Sequence, residues 1–253
     1  MREAEIHSAI IFFNHRQFYK SLGYPNLKDT DVIISGYNLD IDSGTVETIW
    51  PNGGIYAWPT QARTIGLVSD SANDDAAGTG ARVVRVEGLD ANGDLYEEDI
   101  DMDGTTAVSK SQPLLAVNKL TVIETGTGRA NAGTITATAA TDNTVSATIP
   151  VGKNQSLQCV MMVPNDRDFL LRSYYGNLRD VNASINVELK INIGDGIFRT
   201  VHTVTARLGG SSFVEKIFSD GMKIPAGSQI RLDAGVTADN VATSGGFEGD
   251  WVS

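Results

Sequence analysis

The sequence predicts an all-β protein of two antiparallel domains, β-sandwich or jelly-roll-like, with an N-terminal arm or helix. Three observations carry this. Thr, Asn, Gly and Val are abundant while Leu-Ala-Glu-Lys helix runs are absent, the composition of pleated, half-buried surfaces. Ser184 to Ile193 alternates apolar and polar without a miss, the period of a strand with one buried face. Short strands recur at regular spacing between Gly and Asn turns, as in sandwiches and barrels. With 253 residues, 41% hydrophobic and 20% charged, the chain has the composition of a globular protein with room for two cores. The expected division is an arm over 1–30, a β-sandwich over 31–140 and a jelly-roll-like sandwich over 141–253.

Residues 1–28 differ from the rest. Arg2, Arg16, Lys20 and Lys28 against Glu3 and Glu5 give a charge of +2, so the remainder carries −13. Phe12, Phe13, Phe18 and Tyr19 are concentrated there. Ile6, Ile10 and Phe13 fall at helical spacing, which predicts a helix from about Ala4 to Leu22 that ends near Gly23 and Pro25. Ile11, Phe12 and Phe18 spoil a single stripe, and an extended arm is the alternative.

From Asp31 to about Thr138 the expected strands are Val32–Ile41, Ala62–Ser69, Ala81–Gly88, Asp94–Met102, Leu114–Glu124 and Thr134–Thr138. Within Ser69–Val108 the pattern is a small-residue loop, a strand, a tight turn and a second strand. Val84 and Val86 share one face, opposite Val83, Arg85 and Glu87. The turn Asp90-Ala91-Asn92-Gly93 supplies residues that accept φ > 0. On the return strand Glu97, Asp99, Asp101 and Asp103 form one wet acidic face, with Tyr96, Ile100 and Met102 on the other. Ala139–Val145, small and polar, reads as the domain joint. Beyond it, strands are expected at Gln155–Val163, Phe169–Tyr175, Ser184–Ile193, Ile197–Leu208, Phe213–Phe218, Ser228–Val236 and Phe247–Val252. Ser146–Val151 is an eighth candidate, and eight antiparallel strands fit a jelly roll.

The loop and hairpin also carry a resemblance. Ser71, Asp74, Ala76–Arg82, Val84, Val86, Gly88–Asp90 and Asp103–Val108 follow the pattern S-x-x-D-x-A-A-G-T-G-A-R, then V-x-V-x-G-L-D, then N/D-G-T-T-x-V. Asp40–Tyr56 upstream and Asn131–Ile135 downstream match as well. This resembles a module of structural proteins of tailed bacteriophages, especially marine and freshwater ones, over roughly residues 40 to 136. The resemblance implies a virion component. It fixes a context better than a role.

Candidate chemistry is sparse. His7, His15 and His202 are the three histidines, and no G-x-S-x-G, H-E-x-x-H, C-x-x-C or G-x-x-x-x-G-K occurs. His202 shares a face with Phe198, Val204 and Leu208 and reads as a core or interface histidine. Glu97, Asp99 and Asp101 stand side by side on a flat strand, a solvated acidic face rather than carboxylates across a cleft. Asp90, Asn92, Asp94 and Asp101 match calcium-loop spacing in part, but Leu95 stands where such a loop needs Gly; an Asx turn is the better reading. The single Cys159 lies in an apolar run and reads as a buried small hydrophobe. No catalytic residue, metal or cofactor is therefore expected. The net charge of −11 argues against nucleic acid, which needs clustered Lys and Arg, and no run approaches a membrane span. Ala9–Phe13 is too short for a signal peptide.

Trp50–Pro59 packs three aromatics among turn formers. It reads as a rigid corner whose indoles lock the chain or fill a subunit contact, with a sugar platform as the weaker alternative. Phe12, Phe13, Arg16, Phe18, Tyr19, Lys20, Trp50 and Trp58 are thus the candidate partner-interface residues. Residues 1–28 are expected to make the main intersubunit or particle contact. Together with the resemblance, the expectation is a non-enzymatic capsid decoration (cement) protein on the outer shell. It would be a homo-oligomer, with a trimer favoured, bound to the major capsid protein or other virion proteins, in a virion assembled in host cytoplasm. A tail, collar or fibre-base part, or a carbohydrate-binding module, are the alternatives.

Overall fold

A computed structural model describes residues 31–109, 112–178, 183–207 and 212–252. These form sixteen strands, and no helix occurs among the described residues. All pairings between strands are antiparallel. In chain order the strands are β1 (Asp31–Ile41), β2 (Val46–Thr48), β3 (Ile65–Ser69), β4 (Ala81–Asp90), β5 (Leu95–Asp101), β6 (Val108–Ser109), β7 (Leu114–Thr125) and β8 (Ile135–Ala139). They continue as β9 (Val145–Ile149), β10 (Val160–Met162), β11 (Asp168–Leu178), β12 (Ile185–Asn192), β13 (Arg199–Ala206), β14 (Phe213–Ile224), β15 (Gln229–Val236) and β16 (Val241–Val252).

The strands sort into four sheets around two main cores. One sandwich pairs the sheet β6-β3-β8-β9 with β5-β4-β7. Leu67, Val84, Val86, Ile100, Met102, Leu120, Ile135 and Ile149 fill it, and these are the alternate positions that the hairpin pattern places inward. The other pairs β1-β16-β11-β14 with β10-β15-β12-β13, β2 adding to β15. Its core holds Ile34, Phe169, Leu171, Tyr174, Val187, Leu189, Leu232 and Phe247. Of the apolar members of the Ser184–Ile193 alternation, Ile185, Val187, Leu189 and Ile191 are buried as expected, whereas Ile193 lies past the strand end and is 60% exposed.

Two expectations about organisation are corrected. Ala139–Val145 is not the joint: it is the turn of the β8–β9 hairpin, with Asn143 at φ 58°. Ser146–Val151 therefore serves the first sandwich. The second has nine strands, since β1 joins it by pairing with β16 from Asp31↔Asp250 to Ile41↔Val241 and β2 by pairing with β15. The grouping 31–140 versus 141–253 thus misplaces both ends of its first unit. The chain passes between the sandwiches twice, over residues 49–64 and 150–159. The second passage is held by backbone bonds to β7, Val122 N–H to Asn154 O and Ser156 N–H to Leu120 O, as well as by side chains. Asn118 Nδ2 donates to Met162 O at 3.0 Å while Met162 N donates to Asn118 Oδ1 at 2.9 Å. Asn131 and Asn154 exchange a similar pair of backbone-to-side-chain bonds at 2.9 and 3.0 Å. The hairpin tip is tied too, since Asn165 Nδ2 donates to Asn92 O at 2.6 Å.

Several surface carboxyls are held below the ordinary aspartate range. The causes are the Arg85 fork on Asp99, the Thr144 N–H and hydroxyl on Asp142, the Lys223 ammonium on Asp168 and the Arg199 fork on Asp195. A carboxyl with a depressed folded pKa stabilises fully above its unfolded value, about 3.9, and loses that contribution as pH falls through the folded value. The melting temperature is accordingly expected to fall as pH drops below about 4. Thermal melts across an acid series check this; a fall confined to alkaline pH would contradict it.

Candidate interaction surface

The loop that carries the resemblance is built around a buried carboxylate. Asp74 is 0% exposed. Its Oδ1 accepts from the N–H of Ala81 at 2.6 Å and of Ala132 at 2.7 Å. Its Oδ2 accepts from the Gly133 N–H at 2.8 Å and the Ser69 hydroxyl at 2.6 Å. One side chain therefore staples the Ser71–Arg82 loop to the Asn131–Ile135 segment, two stretches that match the resemblance separately. Gly80 belongs to the same arrangement: a Cβ there would meet Asp74 Oδ1 at 2.1 Å, so only glycine fits. The motif serves architecture.

The hairpin after it forms as expected. Gly93 sits at φ 80°, and Asp90 Oδ1 accepts from the N–H groups of Asn92 at 2.8 Å and Asp94 at 3.0 Å. That is an Asx turn, with the carboxylate spent on backbone. On the strands, Arg85 lies between Glu97 at 3.0 Å and Asp99 at 2.7 Å, part-neutralising the acidic face. Tyr96 donates to Glu98; burial first, then that bond, push its phenol up to about 12. Adding calcium or a chelator is expected to leave the melting temperature unchanged. A rise of several degrees with calcium, lost in Asp90→Ala, would instead make this turn an ion site.

The aromatic corner is turned inward. Trp50 is buried and its Nε1 donates to Gly53 O at 2.7 Å. Tyr56 meets Trp50 edge-on at 5.1 Å and donates to Ser146 O at 2.9 Å. Trp58, half-buried, lies against Tyr56 at 5.0 Å and stacks on Phe198 at 6.1 Å. Arg231 in turn covers Phe198 at 4.2 Å and pairs with the buried Asp233 at 3.0 Å, where Thr48 and Lys190 also bind. The corner thus clamps the first sandwich to the outer side of β15. Trp50 and Trp58, two candidate interface residues, both pack within the chain, Trp50 buried and Trp58 half-buried. Phe12, Phe13, Arg16, Phe18, Tyr19 and Lys20 lie outside the described residues, as do His7 and His15.

His202 sits at the rim of the second core. Its Nδ1 is 2.7 Å from the Tyr174 hydroxyl, and its ring meets Phe218 at 6.0 Å. Phe198 leaves that face. Val201 is the extra residue of a bulge, since Leu189 opposes His202 while Lys190 opposes Thr200, and one extra residue inverts the alternation before it. Cys159 is buried, with its thiol pushed up by desolvation, as a small core hydrophobe.

A surface that sequence reading did not single out is the outer face of the β1-β16-β11-β14 sheet. The register aligns Ile33, Glu248, Ser173 and Ile217 in one row, then Ser35, Gly246, Tyr175 and Glu215, then Tyr37, Ser244, Asn177 and Phe213. Ile217 is 65% exposed, Ile33 51% and Phe213 47%. Phe213 packs on Tyr175 at 5.8 Å, and burial raises the Tyr37 and Tyr175 phenols. Apolar groups on β1, β11 and β14, with Ser244, Gly246 and Glu248 of β16 between them, are the makings of a contact surface. Two depressions elsewhere, of about 10 and 20 Å³, are of water size, against roughly 300–1,000 Å³ for small-molecule sites. Both sandwiches are acidic: residues 65–149 hold thirteen Asp and Glu against five Lys and Arg, and residues 31–48 with 150–253, which supply the strands of the other sandwich, hold fifteen against ten.

No protein-family model matches the chain, and no curated protein does. Among solved structures, it is similar to a chain in the structure of infectious bursal disease virus, Gx strain. The two are 11% identical, with 93% of this chain and 76% of that chain covered, at a TM-score of 0.23.

Proposed function

We propose that this chain is a non-enzymatic virion structural protein of a tailed bacteriophage, a decoration (cement) protein bound to the outside of the capsid shell. The observation that carries the docking role is the set of exposed apolar side chains on the outer face of β1-β16-β11-β14. The phage context comes from the Ser71–Val108 resemblance, whose residues build a loop staple and a hairpin rather than a reaction centre. A protein of this kind binds a surface that exists only after assembly and adds contact area between shell subunits. A closed trimer fits the local three-fold positions of a shell.

Quantitative mass spectrometry and electron cryo-microscopy of the parent virion test this. The expected result is a copy number comparable to that of the major capsid protein, with density on the outer shell. A far smaller copy number, with density at the tail, collar or fibre base, overturns it.

A further inference from the structure

We propose that the outer face of the β1-β16-β11-β14 sheet is the seat for residues 1–28 of a second copy of this chain, so that the N-terminal arm is exchanged between subunits. This deepens the interaction reading above, and it does not depend on the virion context.

Three observations select that occupant. The first is chemical match. The face presents Ile33, Tyr37, Tyr175, Phe213 and Ile217, and the arm offers Ile10, Ile11, Phe12, Phe13, Phe18 and Tyr19. Such side chains gain most when they bury apolar area together.

The second is charge. The arm carries +2 within a chain of −11. Glu215 and Glu248, both exposed, stand in two adjacent rows of the face, where Arg16 and Lys20 would meet them.

The third is reach. The described chain starts at Asp31, the first residue of edge strand β1. Thirty preceding residues span up to about 100 Å when extended, whereas four strands are roughly 15–20 Å across. The arm is several times longer than its own face requires, and it leaves from the sheet edge, so it can pass to a neighbour. Exchange of the same segment around a closed ring satisfies every copy, which suits a trimer.

Disulfide trapping in the full-length chain tests the proposal. Chains carrying Phe13→Cys are mixed with chains carrying Ile217→Cys and mildly oxidised, and Ile10→Cys and Phe18→Cys replace Phe13→Cys in parallel mixtures. The native Cys159 is buried and stays silent. A bond between positions 217 and 10, 13 or 18 in such a mixture can only be intermolecular. The control partner is Leu95→Cys, exposed on the other sandwich. The expected result is a linked dimer formed several-fold faster with position 217 than with position 95. Equal rates with the two partners overturn the proposal. So does bonding only within a doubly substituted chain, which would make the arm a cover for its own sheet. Copy number in virions is untouched by either outcome, so failure here is distinguishable from failure of the decoration reading.

Discussion

Leu189→Ala is expected to lower the free energy of unfolding by about 2–5 kcal/mol. Leu189 is 0% exposed and lies mid-strand in β12, with Leu232 of β15 on one side and His202 of β13 on the other. Truncation removes three carbons from a position that two paired strands hold in place, so the site relaxes little and a cavity is left. Urea unfolding with an unchanged m-value reads the loss directly. A change within experimental error would place the side chain outside the core and sink the register of β12 against β15.

Asp74→Ala is expected to cost about as much, roughly 3–5 kcal/mol, by another route. Its two oxygens take four donors, three of them backbone N–H groups. The alanine variant leaves these without an acceptor in the interior, where each unsatisfied group costs about 1–3 kcal/mol, partly relieved by water entry. Asp74→Asn is expected to cost less. An amide oxygen still serves the Ala81 and Ala132 N–H groups, but the amide nitrogen faces the Gly133 N–H. Denaturation of both variants, with hydrogen exchange at Ala81, Ala132 and Gly133, checks the order. An alanine variant as stable as the parent would show that the staple holds nothing.

Much of this fold was legible because many strands have one wet face. β12 was read to within a residue at each end, since its alternation is unbroken. β14 and β16 were read at half their length. In β14 the register jumps where Arg172 alone faces the Phe218–Gly221 stretch, and in β16 Ser244, Gly245 and Gly246 erase the apolar signal. β2 and β6, of three and two residues, are too short to show any period. Sheet membership was harder than strand identity. Local pattern cannot tell that β1 pairs with a strand some two hundred residues later, and so the division between sandwiches was misplaced.

The interaction face was hidden for a related reason. Phe213-Val214-Glu215-Lys216-Ile217-Phe218 puts large apolar groups on both sides of the strand, and only the core shows which side is wet. The Trp50–Pro59 corner was legible as a corner, because turn formers and indoles together have few other uses. What the sequence could not show is that Phe198, itself covered by Arg231, stacks on Trp58 from the far sandwich.

The braces between the sandwiches have a mechanical meaning. Asn118 holds both the N–H and the C=O of Met162, Asn165 grips the tip of the hairpin, and Asn131 and Asn154 close a second ring nearby. A hinge needs an axis about which few bonds must break. Here any bend opens bonds at separate places at once, and those of Asn118, Asn131 and Asn154 are in part shielded from water. The molecule therefore behaves as a single lever. A tug on one sandwich is delivered to the other as torque, not lost in flexing at the waist, and the orientation of one end dictates that of the other.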